Sequence, residues 1–183
     1  MAVVDLRRVD AGLLGTVGAG SVHLALDVPR SRSGIHGLCL GDRLDGYWRI
    51  ESNADTLDPV GLFLGEYGGR PVFLRSEVHL TPHYVLRHVD LSGMVGDRRL
   101  GARVVPVEAA AYGPRVLGID GEWGGRTITL FASLADDGSR GQVDGVVDER
   151  QVNLVATRAG VGGEYDGPPE LLPLLVGALL YFV

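Results

Sequence analysis

Apolar and polar residues alternate along almost the whole chain, and the pattern changes character only once. Segments such as Val3–Val9, Ser21–Asp27, Pro71–Leu80 and Thr127–Leu134 carry apolar side chains at nearly every second position. That is the period of a strand with one buried face. Similar segments lie at Gly37–Gly41, Tyr47–Ser52, Val60–Gly65, Tyr84–Leu91, Leu100–Val107, Arg115–Asp120, Gly141–Val147 and Gln151–Arg158. Together they predict about twelve antiparallel strands. Turn-forming clusters (DRLDG, GEYGG, TPH, GDRRLG, GEWGG, ADDGSRG) separate nearly all of them, because Gly, Asp, Asn and Pro supply the backbone angles that tight turns need. The stretch EAAAY at 108–112 reads equally well as a helical turn. No linker or low-complexity segment divides the chain, so residues 1–183 form one domain.

The alternation stops at the C-terminal tail. Leu171 to Val183 (LLPLLVGALLYFV) has no charged side chain, and nine of its residues are Leu, Val or Phe. Burying such side chains is worth about 1.5–3 kcal/mol each, so this surface must be covered. Asp166 suits a helix N-cap, and Pro168, Pro169 and Pro173 fit a first helical turn, where no backbone N–H partner is needed. The expectation is a helix over about 169–182. Thirteen residues rise about 20 Å, against about 30 Å for the hydrocarbon core of a bilayer. A membrane span is therefore not expected. A helix apolar on every side is instead buried on every side, within a barrel or in an interface between subunits.

An internal echo accompanies the strands. GEYGGRPVFL (65–74) returns as GEWGGRTITL (121–130) and, altered, as GEYDGPPELL (163–172), with DGVVDERQVNL (144–154) a looser relative. Adjacent glycines between two β-prone segments are what a two-residue hairpin turn with positive φ angles requires. The copies are spaced too unevenly for a regular propeller or solenoid.

Composition narrows the functional classes. Glycine accounts for 28 of 183 residues, and formal net charge is −6 with every basic residue an Arg. The absence of Lys fits a GC-rich, bacterial genome. An acidic chain without a basic run is a poor ligand for nucleic acid or for anionic membrane. The N-terminal segment MAVVDLRRVD carries charges where a secretory signal has its apolar run, which points to the cytoplasm. The lone Cys39, in the apolar stretch GLCLG, reads as a buried structural thiol.

About twelve short antiparallel strands followed by DGPPELLPLLVGALLYFV resemble, in element order, the tubby-like superfamily, which includes the tubby C-terminal domain, phospholipid scramblases and LURP-one-related proteins. The resemblance implies a closed antiparallel barrel around a hydrophobic C-terminal helix. It implies a non-enzymatic module that binds an unidentified protein or lipid partner through its surface. Tubby domains that read phosphoinositides use Lys/Arg pockets, and this chain has no such cluster.

Catalytic signatures are weak. GTVGAG (15–20) has the wrong glycine spacing for a dinucleotide loop and precedes a strand. There is no G-x-S-x-G, H-E-x-x-H, C-x-x-C or P-loop, and Asp136-Asp137-Gly138 lacks the downstream ligands of a calcium loop. In HLTPHYVLRH, His79 and His83 would flank a hairpin tip, with His88 beyond. With no cysteine or carboxylate completing a ligand set there, neither a metal centre nor a cofactor is expected. The competing reading is a small barrel enzyme or lipocalin-like carrier with the helix packed outside. Arg75, His79, His83 and Trp123 would then be the ligand-binding candidates.

Overall fold

Every strand of this chain is hydrogen-bonded antiparallel to its neighbour in sequence, and the first pairs with the last, so the sheet closes into a barrel. The structure is a computed structural model that describes residues 1–9, 12–27, 33–53, 55, 58–110, 113–135, 139–173 and 175–176. The strands are β1 (Ala2–Val9), β2 (Gly12–Val17), β3 (Gly20–Asp27), β4 (Ser33–Cys39), β5 (Asp42–Ser52), β6 (Pro59–Tyr67) and β7 (Arg70–Leu80). They continue as β8 (Leu86–Val95), β9 (Arg98–Ala110), β10 (Gly113–Trp123), β11 (Arg126–Leu134), β12 (Arg140–Val147), β13 (Arg150–Thr157) and β14 (Gly160–Tyr165). The seam joins β1 to β14, from Ala2↔Tyr165 to Arg7↔Gly160. Among the described residues, closure leaves no unpaired sheet edge.

The described residues thus hold fourteen strands, where the alternation predicts about twelve. The two additional strands, β2 and β14, flank β1 and are rich in glycine. Glycine reads as a strand breaker because it has no side chain to pack. Here it is required by close approach of backbones. A Cβ on Gly15 would lie 1.9 Å from the carbonyl oxygen of Asp5, and one on Gly163 would lie 2.0 Å from that of Asn153. Of the stretch 108–112, residues 108–110 belong to β9, and 111–112 lie outside the described residues.

Alternation sorts most of the side chains, although adjacent Leu62 and Phe63 of β6 are both buried. Val4, Leu6, Leu13, Leu24, Phe63, Leu130 and Leu154 point inward and belong to one buried cluster. Neighbours such as Asp5 and Arg7 face out. At one rim the hairpins turn in two residues: 18–19, 40–41, 68–69, 96–97, 124–125 and 148–149. Gly68 and Gly69 (φ 57° and 74°) and Gly124 and Gly125 (φ 55° and 80°) bear out the hairpin reading of the echo. At the same rim Asp148 and Glu149 hold positive φ without being glycine.

The rim repeats a single unit. Gly15, Gly37, Gly65, Gly93, Gly121, Gly145 and Gly163 each stand two residues before a buried inward side chain: Val17, Cys39, Tyr67, Val95, Trp123, Val147 and Tyr165. Immediately after that side chain, a backbone N–H donates to a carbonyl of the preceding hairpin. The bonds are Gly18 to Val3, Leu40 to Ser21, Gly68 to Arg43, Gly96 to Pro71, Gly124 to Arg99, Asp148 to Thr127 and Asp166 to Gln151. In the last of these the chain has already left β14, so the third copy of the echo keeps the rim bond without forming a hairpin.

From there the chain turns inward. Leu171, Leu172 and Val176 join the core cluster, and Leu175 packs against it. The Leu175 N–H donates to the Leu171 carbonyl, an i to i−4 bond. No helix appears as an element among the described residues, and 174 and 177–182 of the expected helix lie outside them. No helix of the described residues is long and apolar enough to cross a membrane.

Candidate functional site

The β7–β8 hairpin brings two histidines and a carboxylate together on the outer wall. Its tip is closed by Thr81: the Thr81 N–H donates to the Val85 carbonyl, and the Thr81 hydroxyl accepts from the N–H groups of His83 and Val85. Tyr84 turns the chain with φ 60°. Just below the tip the register slips, with Leu80↔Leu86 followed by His79↔His88, which leaves Arg87 as the extra residue of a bulge. A bulge twists the ladder locally and re-aims the side chains beside it. Here it sets His88, not His83, directly opposite His79.

The two imidazoles stack, with centroids 4.4 Å apart and planes 21° apart. Asp90 follows His88 by two residues, so it shares the same face of the strand. Its Oδ2 lies 3.3 Å from His79 Nε2 and 3.5 Å from His88 Nε2. Its Oδ1 accepts a 2.7 Å hydrogen bond from Arg103 Nε, one strand further on. That bond, with the positive charge of Arg103, holds the Asp90 carboxyl below the usual carboxylate range. His79 Nε2 is shielded from solvent and has no hydrogen-bond partner, despite its closeness to Asp90. Along the same wall Arg75 Nη2 lies 2.6 Å from Glu77 Oε1.

The four residues singled out from sequence do not converge. Arg75 and His79 share the outer face of β7. His83 is exposed in the turn. Trp123 is fully buried in the core at the two-residue rim, its Nε1 without a hydrogen-bond partner. His83 lies in the tip that spans Thr81 to Val85, and across the bulge it is His88 that pairs with His79. Asp90 and Arg103 went unrecognised. The signal for Asp90 is His-x-Asp within a strand; no local signal marks Arg103, which arrives by sheet register.

A second constellation closes the two-residue rim. Glu170, 7% exposed, receives Arg70 Nη1 at 3.1 Å and Arg98 Nη1 at 3.2 Å on the same oxygen, Oε1, while Oε2 has no partner. Both arginines follow rim turns at corresponding positions, and Arg70 also lies over the Tyr67 ring at 5.6 Å. Beneath them the Tyr67 hydroxyl donates to the Cys39 carbonyl at 3.1 Å, and the Tyr165 hydroxyl donates to that of Pro168. Burial, with the nearby Asp42 charge, pushes the Cys39 thiol up to about 12, so it is no nucleophile at neutral pH.

Neither a protein-family profile, nor a curated protein, nor a solved structure matches this chain.

Proposed function

We propose that this protein is a non-enzymatic interaction module of tubby-like design: a barrel filled by its own C-terminal helix, working in the cytoplasm through its outer wall. The observation that carries the reading is the Glu170 latch. Where the chain leaves β14, a buried carboxylate is held by Arg70 and Arg98, and the residues that follow it, Leu171, Leu172 and Val176, enter the core. A carboxylate fixed at the rim orients the apolar tail into the interior, and a helix over 169–182 is the element that would satisfy its backbone there. An interior so occupied leaves recognition to the exterior.

The exterior suits a protein partner. Asp5, Arg7, Arg75, Glu77, Asp90 and Arg103 stand on the outer wall while the inner wall is apolar. The same wall also exposes Val3, Leu38, Phe73, Met94 and Phe131, so it offers a partner apolar contacts among the charges. With a net charge of −6, attraction to an anionic lipid surface is opposed. A second reading, a carrier for an apolar ligand, draws on the far end. There Trp48 and Ile50 lie on the inward face of β5, in register with Phe63 and Gly61 of β6, yet Ile50 is 70% exposed.

Removing residues 171–183 separates the two. If the tail is the core, the truncated chain loses its cooperative thermal transition and its solubility. A truncated chain that still melts cooperatively, and takes up an apolar dye that the full chain refuses, would replace the module with the carrier.

A further inference from the structure

Two imidazoles and a carboxylate on the outer wall point their free atoms at one spot, outside anything the tail or the core requires. We propose that His79, His88 and Asp90 form a divalent-cation site, of the two-histidine, one-carboxylate kind that takes Zn²⁺ and keeps a fourth position open. The donor atoms all lie within 4.8 Å of one another. A tetrahedral ion bonded at about 2.0–2.1 Å needs its donors about 3.3–3.5 Å apart. The two distances from Asp90 Oδ2, 3.3 Å to His79 Nε2 and 3.5 Å to His88 Nε2, already match. The two ring nitrogens, within 4.8 Å of each other, must close to the same spacing to share the ion.

Three further features fit a cation better than an ordinary surface ion pair. His79 Nε2 is enclosed and makes no hydrogen bond, although Asp90 Oδ2 stands 3.3 Å away. Arg103 occupies Oδ1 of Asp90 and leaves Oδ2 facing the rings, the outer-layer arrangement that orients a ligating carboxylate. The stacking matters too. Two imidazolium charges with centroids 4.4 Å apart would repel, whereas one dication serves both neutral rings and the carboxylate together. Imidazole with carboxylate is a donor set that suits Zn²⁺, and three protein ligands leave the fourth position for water or a side chain of a partner. The site lies on β7 and β8 alone and stands whether or not the tail fills the barrel.

The test uses the full chain stripped with a chelator, titrated with Zn²⁺ by calorimetry and with Co²⁺ by visible absorption. The wild type is expected to bind one equivalent, to show tetrahedral Co²⁺ bands and to melt at higher temperature with Zn²⁺. His88→Ala and Asp90→Asn are expected to lose at least tenfold in affinity and the Co²⁺ bands, while His83→Ala keeps both. His88→Gln, which keeps a planar polar group in the stack, serves where the alanine variant does not fold. Unchanged affinity in the His88 and Asp90 variants, or an equal loss in His83→Ala, overturns the site.

Discussion

The two ends of this barrel are built on different principles. At the two-residue rim, glycines, buried side chains and backbone bonds repeat hairpin after hairpin, and Leu171, Leu172 and Val176 join the core. At the other end strands β5 to β10 reach lengths of 9 to 13 residues, and inward side chains such as Trp48 and Ile50 meet solvent. One end is constrained by how closely neighbouring backbones approach, which leaves almost no freedom in residue type. Gly12 and Gly160 meet the same constraint at the other end, but its β5–β10 side carries the histidine and carboxylate chemistry, next to the Thr81–Val85 tip. Rigid geometry at one end thus supports a chemically diverse surface at the other.

The sharpest way to break this comparison is to put bulk where the backbones meet. Gly15→Val forces a side chain into the Asp5 carbonyl, and is expected to cost more than about 4 kcal/mol in chemical denaturation or to abolish folding. Gly101→Val, where a Cβ meets open space, is expected to stay within about 0.5 kcal/mol of wild type. Similar losses at both positions would mean that close approach is not what fixes the rim.

A smaller contrast compares apolar side chains at the two ends. Leu172, 1% exposed where the tail enters the core, is expected to cost about 2–5 kcal/mol as Leu172→Ala. Ile50→Ala, also inward but open to water, is expected to change stability by no more than about 0.5 kcal/mol. If Ile50 proves as costly as Leu172, the far mouth is covered in solution and the asymmetry between the ends disappears.

The mildest test is alkaline. Burial raises the Cys39 thiol in the folded state to about 12, above its unfolded value near 9. The folded chain therefore holds that proton more tightly. Its stabilising effect is complete below the unfolded value and is lost as pH rises through the folded one. Wild type is expected to lose stability between these limits relative to Cys39→Ala, as read from urea midpoints. Iodoacetamide should modify native Cys39 only as fast as the rim opens; labelling at the rate of a free thiol would show the rim to be loose.

These contrasts also explain what the sequence made legible. Strict alternation exposed the β class, and the paired glycines at 68–69 and 124–125 exposed the turns, because both signals are local. The glycine-rich strands beside the seam escaped, since their glycines answer to a carbonyl on a neighbouring strand. The period was hidden for a related reason. Gly65, Gly93 and Gly121 stand 28 residues apart, but the middle unit, GMVGDR, keeps only the first Gly, the buried apolar position, the turn Gly and the Arg. Without the Glu and the aromatic it no longer looks like GEYGGR, so a shorter repeat reads as a longer echo. The histidine cluster was half legible. His79 and His88 were visible, but which of His83 and His88 meets His79 depends on the tip and a one-residue bulge, and Arg103 enters only when β9 docks on β8.

The seam carries a consequence for biogenesis. Residues 2–7 must pair with residues 160–165, so the cylinder cannot shut until β14 has emerged from the ribosome. Until then β1 presents a bare edge to the cell, and joining ends so far apart in sequence carries an entropic penalty that local hairpins avoid. Final closure should therefore come last and be slow beside hairpin formation, which makes the unclosed chain, more than the finished barrel, the species that needs a chaperone.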